Sequence, residues 1–241
     1  MTASEKPEHI NIGRPNLATG HPLHGQCYLC GAKEGLTIEH VVPKAVQVFE
    51  EPVTLKSCQA CNTAKARDEE YIIHFLAAGS FNSVGRARWQ KSLARFAQGK
   101  TEGIRHDMIK RLSKRDVKSH TGETLKNVDT IAIDAKRMDS FFLKIAKGLL
   151  VRSLAAPLEW DDFEISHKID QGIQSMEMLE GSDLGYFWKK PGLGEYWGKT
   201  FSYKVVMDTG KEAYFVGTVL YDSFISCHIF VRKDSAFARL V

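Results

Sequence analysis

Two cysteine pairs constrain this 241-residue chain more than any other feature. Cys27 and Cys30 form one C-x-x-C turn, Cys58 and Cys61 form a second, and 27 residues separate the two pairs. Four thiolates in two tight turns match the ligand spacing of structural tetrahedral zinc sites. The spacing therefore predicts one structural Zn²⁺ bound by all four cysteines. A disulfide or redox use of the pairs is the alternative, and it requires an oxidising compartment or a thioredoxin-like pattern.

The composition is that of an ordinary soluble domain, with 43% hydrophobic and 26% charged residues. A chain of this length can bury a substantial core, so a metal ion would have a local role. No apolar run approaches the roughly 18 residues of a membrane span, and residues 1–20 lack the apolar segment of a secretory signal. We therefore expect a cytoplasmic protein without a membrane partner.

Hydrophobic periodicity and turn residues divide the chain into three parts. Residues 1–25 are polar and interrupted by proline and glycine, so they are predicted to form an irregular lead-in. Residues 26–80 are predicted to form a compact module with strands at 36–39 and 53–56 and a helix from about 61 to 75. We expect the remainder, 81–241, to follow as a separate region whose role the sequence leaves open.

Apolar spacing within the third part predicts helices first and strands later. Two amphipathic helices are expected between 84 and 118, with Leu112 on the apolar stripe of the second, and another helix over 135–154. Segments rich in β-branched and aromatic residues then predict an antiparallel meander over 201–207, 213–220 and 223–231. The predicted fold class is therefore α+β, with helices and a small antiparallel sheet after the cysteine-rich module.

Positive charge is concentrated in the middle of the chain. Residues 84–150 carry 16 basic and 7 acidic side chains, a net of +9 within a chain whose total is only +4. Such a segment suits the binding of phosphate groups, although a solvated helix face has the same composition. We take as candidate nucleic-acid contacts the first four basic residues of this segment: Arg86, Arg88, Lys91 and Arg95.

The residues between and after the cysteine pairs form an ordered motif. Glu39, His40 and Pro43 form an E-H-x-x-P run between the pairs, and Asn62 and Lys65 form N-x-x-K directly after Cys61. The combination of C-x-x-C, E-H-x-x-P and C-x-x-C-N-x-x-K resembles the HNH endonucleases, in the branch that carries Glu-His as its central pair. The resemblance spans about 40 of the 241 residues. It implies that residues 26–80 form a ββα-metal module, which is a hairpin followed by a helix.

The resemblance also implies a role for each motif residue. His40 would be the general base, because an imidazole with a pKa of about 6.5 can accept a proton at neutral pH. Glu39 and Asn62 would hold a catalytic divalent ion, for which two protein oxygens favour Mg²⁺ or Mn²⁺. Lys65 would contact a phosphate oxygen. Four thiolates leave the zinc ion no open position for water, so zinc itself would be structural.

Two functional hypotheses follow. The first is a metal-dependent HNH-like endonuclease that hydrolyses nucleic-acid phosphodiester bonds, with DNA expected as substrate rather than RNA. The second is a non-catalytic zinc-finger module that binds nucleic acid, in which His40 makes a structural hydrogen bond and Asn62 only caps its helix. Nucleic acid is the expected partner in both, and the sequence indicates no protein partner or oligomeric state.

Overall fold

The chain is a mixed α and β protein. The structure, a computed structural model, describes residues 25–46, 52–80, 82–118, 122–170, 188–196, 198, 200–208, 212–221 and 224–235. The lead-in predicted for residues 1–25 lies almost entirely outside the described residues. Within these ranges four α-helices form where apolar side chains recur at helical spacing: α1 (Gln59–Ala78), α2 (Ser83–Ala97), α3 (Glu102–Arg111) and α4 (Ala135–Leu154). None of the described helices is both long enough and apolar enough to cross a membrane.

The described strands form three antiparallel sheets. A hairpin pairs β1 (Leu36–His40) with β2 (Thr54–Cys58), and its last residue is followed directly by α1. A second hairpin pairs β3 (Leu112–Lys118) with β4 (Thr124–Ile131). The third sheet has five strands in the order β5-β9-β8-β7-β6: β5 (Phe163–Asp170), β6 (Gly194–Tyr196), β7 (Phe201–Asp208), β8 (Ala213–Leu220) and β9 (Phe224–Arg232).

Helices α1 and α4 pack together between the first hairpin and the five-stranded sheet. The hydrophobic cluster that they form runs without a break from Tyr28, beside the hairpin, to Phe230 in β9. An ion pair adds to the contact between the helices, because Lys144 Nζ lies 3.1 Å from Asp68 Oδ2. Residues on either side of position 80, where we placed a boundary, therefore contribute to one core.

The predictions for helix α4 and for the central meander are confirmed. Helix α4 covers 135–154, and each residue of its predicted apolar stripe is buried: Met138, Phe142, Ile145 and Leu149. Strands β7, β8 and β9 coincide with the predicted meander to within one residue at each end. The sheet is larger than predicted, since β5 and β6 lengthen it on both sides through pairing with β9 and β7.

The prediction of helix up to residue 118 is wrong at its end. Helix α3 ends at Arg111, and residues 112–118 form β3 instead. Leu112, which we placed on a buried apolar stripe, is 51% exposed. The backbone of this segment is satisfied by hydrogen bonds to β4, and local periodicity does not reveal a partner strand further along the chain.

Candidate functional site

Four cysteines converge at the start of α1. The Sγ atoms of Cys27, Cys30, Cys58 and Cys61 all lie within 4.8 Å of one another, and Cys30 Sγ is 3.7 Å from Cys58 Sγ. Ligand sulfurs about 2.3 Å from a tetrahedral zinc ion are separated by roughly 3.8 Å. The four residues are thus positioned to hold a metal ion, and their geometry fits structural zinc.

Three local features bring these thiols together. Gly31 adopts a left-handed conformation with φ +73° after the first C-x-x-C turn, and its N–H donates to the Cys27 carbonyl at 2.9 Å. The N–H of Tyr28 donates to the Lys56 carbonyl at 3.0 Å, which attaches this turn to β2. Cys58 ends β2, and Cys61 lies in the first turn of α1. An ion bound here would join the turn, the hairpin and the helix.

The thiols differ in acidity. Burial acts to raise the pKa of Cys27, but N–H groups of Cys58, Leu29 and Cys30 stabilise its thiolate and bring the pKa down to about 6. The pKa of Cys61 is raised instead, first by burial and then by its hydrogen bonds to neighbouring cysteines. Crowded thiols of this kind favour a divalent cation, whose binding releases their remaining protons.

Helix α1 contacts strand β1 through polar side chains. Asn62 Nδ2 donates to Thr37 Oγ1 at 3.1 Å, and Lys65 Nζ donates to Glu39 Oε1 at 2.7 Å. Lys65 also donates to the backbone carbonyl of His40, and its Nζ lies 2.5 Å from Glu69 Oε1. Asn62, Lys65 and Glu69 recur every three or four residues, so they share the face of α1 that is turned to β1.

Lys65 is therefore not on the surface. We predicted a phosphate contact for it, but its side chain is 2% exposed and its ammonium group is surrounded by protein oxygens. Glu39 is buried as well, at 8% exposure. Burial of Glu69 raises the pKa of its carboxyl group above the ordinary value, although the nearby Lys65 ammonium acts to lower it. In this conformation Lys65 forms an ion pair with Glu39 and a hydrogen bond with the backbone at the end of β1.

His40 lies on the other face of the hairpin. Side chains alternate along a strand, so Thr37 and Glu39 point toward α1 while Ile38 and His40 point away from it. His40 is half-buried opposite Thr54, and Ile38 is 65% exposed opposite Lys56. Burial lowers the pKa of His40 and the positive charge of Lys44 lowers it further; the Glu39 carboxylate acts to raise it, and Lys65 adds a smaller lowering effect. The imidazole is accordingly neutral at pH 7.

Glu39 and Asn62 lie on one side of the hairpin and offer the donor atoms that a hard cation requires. The contact with Lys65 uses Oε1 of Glu39, and the contact with Thr37 uses the amide nitrogen of Asn62. Oε2 of Glu39 and Oδ1 of Asn62 take no part in those two hydrogen bonds. Carboxylate and amide oxygens are suitable ligands for Mg²⁺ or Mn²⁺, so the residues fit such an ion in kind.

The basic residues predicted on α2 do not form one patch. At 100° per residue, Arg88, Lys91 and Arg95 share a stripe, whereas Arg86 lies on the opposite side of the helix. Lys91 and Arg86 are exposed, and Arg88 is half-buried. Arg95 Nη2 lies 3.1 Å from Glu70 Oε1, which places the C-terminal end of the stripe beside the middle of α1.

Sequence reasoning missed three charged residues near His40. Lys44 follows it by four residues, Lys56 lies on the same face of the hairpin, and Glu69 pairs with Lys65. The i to i+4 spacing of Lys65 and Glu69 could have indicated their pairing. The position of Lys56 depends on the register of β1 and β2, which the sequence alone did not define.

No protein-family model matches this chain, and comparisons with curated proteins and with solved structures likewise find no match.

Proposed function

We propose that this protein is a metal-dependent, HNH-like endonuclease that hydrolyses phosphodiester bonds in nucleic acid, with DNA as its substrate. The proposal is carried by one arrangement: a neutral, partly exposed imidazole stands at the end of β1, next to a carboxylate and an amide that share the opposite face of the hairpin. These are the groups that phosphodiester hydrolysis requires when a divalent cation is present.

His40 would act as the general base. Its depressed pKa keeps the imidazole unprotonated at neutral pH, so it can accept a proton from water as the water oxygen attacks phosphorus. The bond between phosphorus and the 3′ oxygen then breaks, and that oxygen takes a proton from solvent. The products carry 5′-phosphate and 3′-hydroxyl ends.

Glu39 and Asn62 would hold Mg²⁺ or Mn²⁺. When bound, such an ion supplies positive charge beside the phosphate and the leaving oxygen. The cysteine cluster would have a structural role, because four thiolates complete a tetrahedral shell. Through Cys61, the cluster would fix the position of the adjacent Asn62. Through Cys58, it would hold the end of β2 against the first turn of α1.

Two cations near His40, the exposed Lys44 and the half-buried Lys56, would bind the substrate backbone. Lys56 lies diagonally across the hairpin from His40, a separation of about 7–8 Å that is close to the spacing of successive phosphates. Lys44, in the loop after β1, lies near enough for its positive charge to lower the pKa of the same imidazole. The stripe formed by Arg88, Lys91 and Arg95 would supply further phosphate contacts on α2, without base specificity and with a strong salt dependence.

A non-catalytic zinc-binding module for nucleic acid is the second candidate, and one observation favours it. The Lys65 ammonium already neutralises Glu39, as it would in a site that does not take up a catalytic ion. This alternative predicts salt-dependent binding of nucleic acid without strand cleavage. It also predicts that binding is unaffected by His40→Ala.

Cleavage of supercoiled plasmid and of labelled RNA by the zinc-loaded protein tests the proposal. With Mg²⁺ or Mn²⁺ we expect nicking of plasmid by the wild type and loss of at least roughly 100-fold of that rate in His40→Ala. His106→Ala, which changes an exposed histidine on α3, serves as the matched control and should cleave normally. Equal rates for His40→Ala and the wild type would refute the role of His40. A wild type that cuts neither substrate with either ion would refute the endonuclease.

A further inference from the structure

We propose that Lys65 is the resident counter-ion of Glu39 and competes with a divalent cation for this carboxylate, so that the Lys65–Glu69 pair sets the metal affinity of the site. The inference rests on the proposed function, since it takes Glu39 to be a metal ligand. It concerns a property that the motif alone does not specify: how strongly the site holds its ion.

The contacts of Lys65 define this role. A buried ammonium is costly unless hydrogen-bond acceptors and opposite charges surround it. Lys65 is 2% exposed, and its Nζ lies 2.7 Å from Glu39 Oε1 and 2.5 Å from Glu69 Oε1, with the His40 carbonyl as third oxygen. The ammonium thus fills the side of Glu39 that faces α1. It also holds the backbone at the residue that carries the imidazole.

The charges of this cluster set up a competition. Glu39, Lys65 and Glu69 together carry one net negative charge, which attracts a cation. A divalent ion on the remaining oxygen of Glu39 would, however, stand within a few ångströms of the Lys65 ammonium and would be repelled by it. In a partly buried site, one such repulsion reduces affinity by at least roughly tenfold.

Glu69 gives the ammonium an alternative partner. It lies one helical turn after Lys65 on the same face of α1, and its carboxylate is already in contact with Nζ. When Glu39 binds an ion, Lys65 can remain paired with Glu69 and the His40 carbonyl. Glu69 therefore makes the exchange between ammonium and metal possible without leaving a buried lysine unpaired.

Mn²⁺ affinity, measured from the electron paramagnetic resonance signal of the free ion, tests the competition in the zinc-loaded 241-residue protein. The variant Lys65→Met/Glu69→Gln keeps the cluster at one negative charge but frees Glu39. We expect it to bind Mn²⁺ at least roughly tenfold more tightly than the wild type. Glu69→Gln alone confines Lys65 to Glu39 and should weaken binding several-fold. Lys33→Met, at an exposed lysine, should leave the affinity unchanged.

The outcomes separate this inference from the proposed function. Equal affinity in the wild type and the double variant overturns the competition but leaves the metal site standing. If the double variant does not fold, Glu69→Gln decides, and an affinity equal to the wild type overturns the inference. Glu39→Gln should abolish the measured binding. Unchanged binding in that variant, or no Mn²⁺ bound by the wild type, overturns both the inference and the proposed ligand set.

Discussion

Gly148 of helix α4 lies directly against Val41, the residue that follows His40. A Cβ atom added at position 148 would stand 2.5 Å from Val41 Cγ1 and 3.1 Å from Tyr28 Cε2. Val41 is fully buried, and Tyr28 belongs to the first cysteine turn, so neither can move aside freely. Because Gly148 has no side chain, α4 can pack closely against both the first cysteine turn and the residue that follows β1.

Gly148→Ala is therefore expected to lower the free energy of unfolding by about 1–3 kcal/mol, because overpacking outweighs the gain in helix propensity. Gly103→Ala is the matched control, since a Cβ at this α3 position meets no described atom within 4 Å. That variant should gain up to about 1 kcal/mol. Urea denaturation of both variants measures the difference, and a Gly148→Ala protein as stable as wild type would contradict the packing argument.

Loss of one cysteine ligand should remove the zinc ion. We expect Cys58→Ser to purify with much less than one zinc per chain and to melt at lower temperature, because β2 and the first turn of α1 lose their common anchor. Cys227→Ser changes a buried thiol in β9, outside the cluster, and should keep its full zinc content. Elemental analysis with thermal denaturation provides the test. A fully loaded Cys58→Ser protein would show that the ion is held elsewhere.

Stability should decrease in mild acid because of a buried histidine. Burial lowers the pKa of His228 to about 3 from its ordinary 6.5, so the folded protein keeps this imidazole neutral. Below pH 6.5 the unfolded chain binds a proton that the folded chain does not. The contribution of His228 is complete above pH 6.5 and is lost as the pH falls toward 3, at up to about 1.4 kcal/mol per pH unit.

His228→Gln removes this titration. Denaturation at pH 7, 6 and 5 should show a shallower loss of stability in the variant than in the wild type, so the two stabilities approach each other in acid. Any effect of pH on the zinc ligands is common to both proteins and cancels in the comparison. Parallel curves of stability against pH would mean that the protonation of His228 does not differ between the folded and unfolded states over this range.

Lys44 and Lys56 should bind phosphates of the substrate. Replacing either by alanine is expected to weaken DNA binding several-fold and to reduce the slope of log affinity against log salt by about one. Fluorescence anisotropy without divalent ions measures binding separately from cleavage. Lys33→Ala is the control, because it removes an exposed positive charge that lies outside the hairpin strands β1 and β2. An unchanged salt slope in Lys44→Ala and Lys56→Ala would exclude these contacts.

Local spacing was sufficient for part of the fold. The cysteine pairs indicated a metal cluster, and the apolar stripe of α4 indicated its helix, because ligands in a tight turn and side chains on one helix face depend on neighbours only a few residues away. Strands β3, β4, β5 and β6 were not predicted. A strand is stabilised by its pairing partner, and for β5 that partner is β9, up to 69 residues further along the chain, so the pairing leaves no local pattern.

The spacing of the motifs specifies which chemical groups lie near the start of α1: four thiols, an imidazole, a carboxylate and an amide. Their surroundings follow from the packing of segments that lie apart along the chain. Packing of α1 on β1 buried Lys65 between Glu39 and Glu69, and the hairpin turned His40 to the opposite face beside Lys56. The free energy of a buried charge depends on the partners around it, and Glu39 reaches Lys65, 26 residues further along the chain, only because β1 packs against α1.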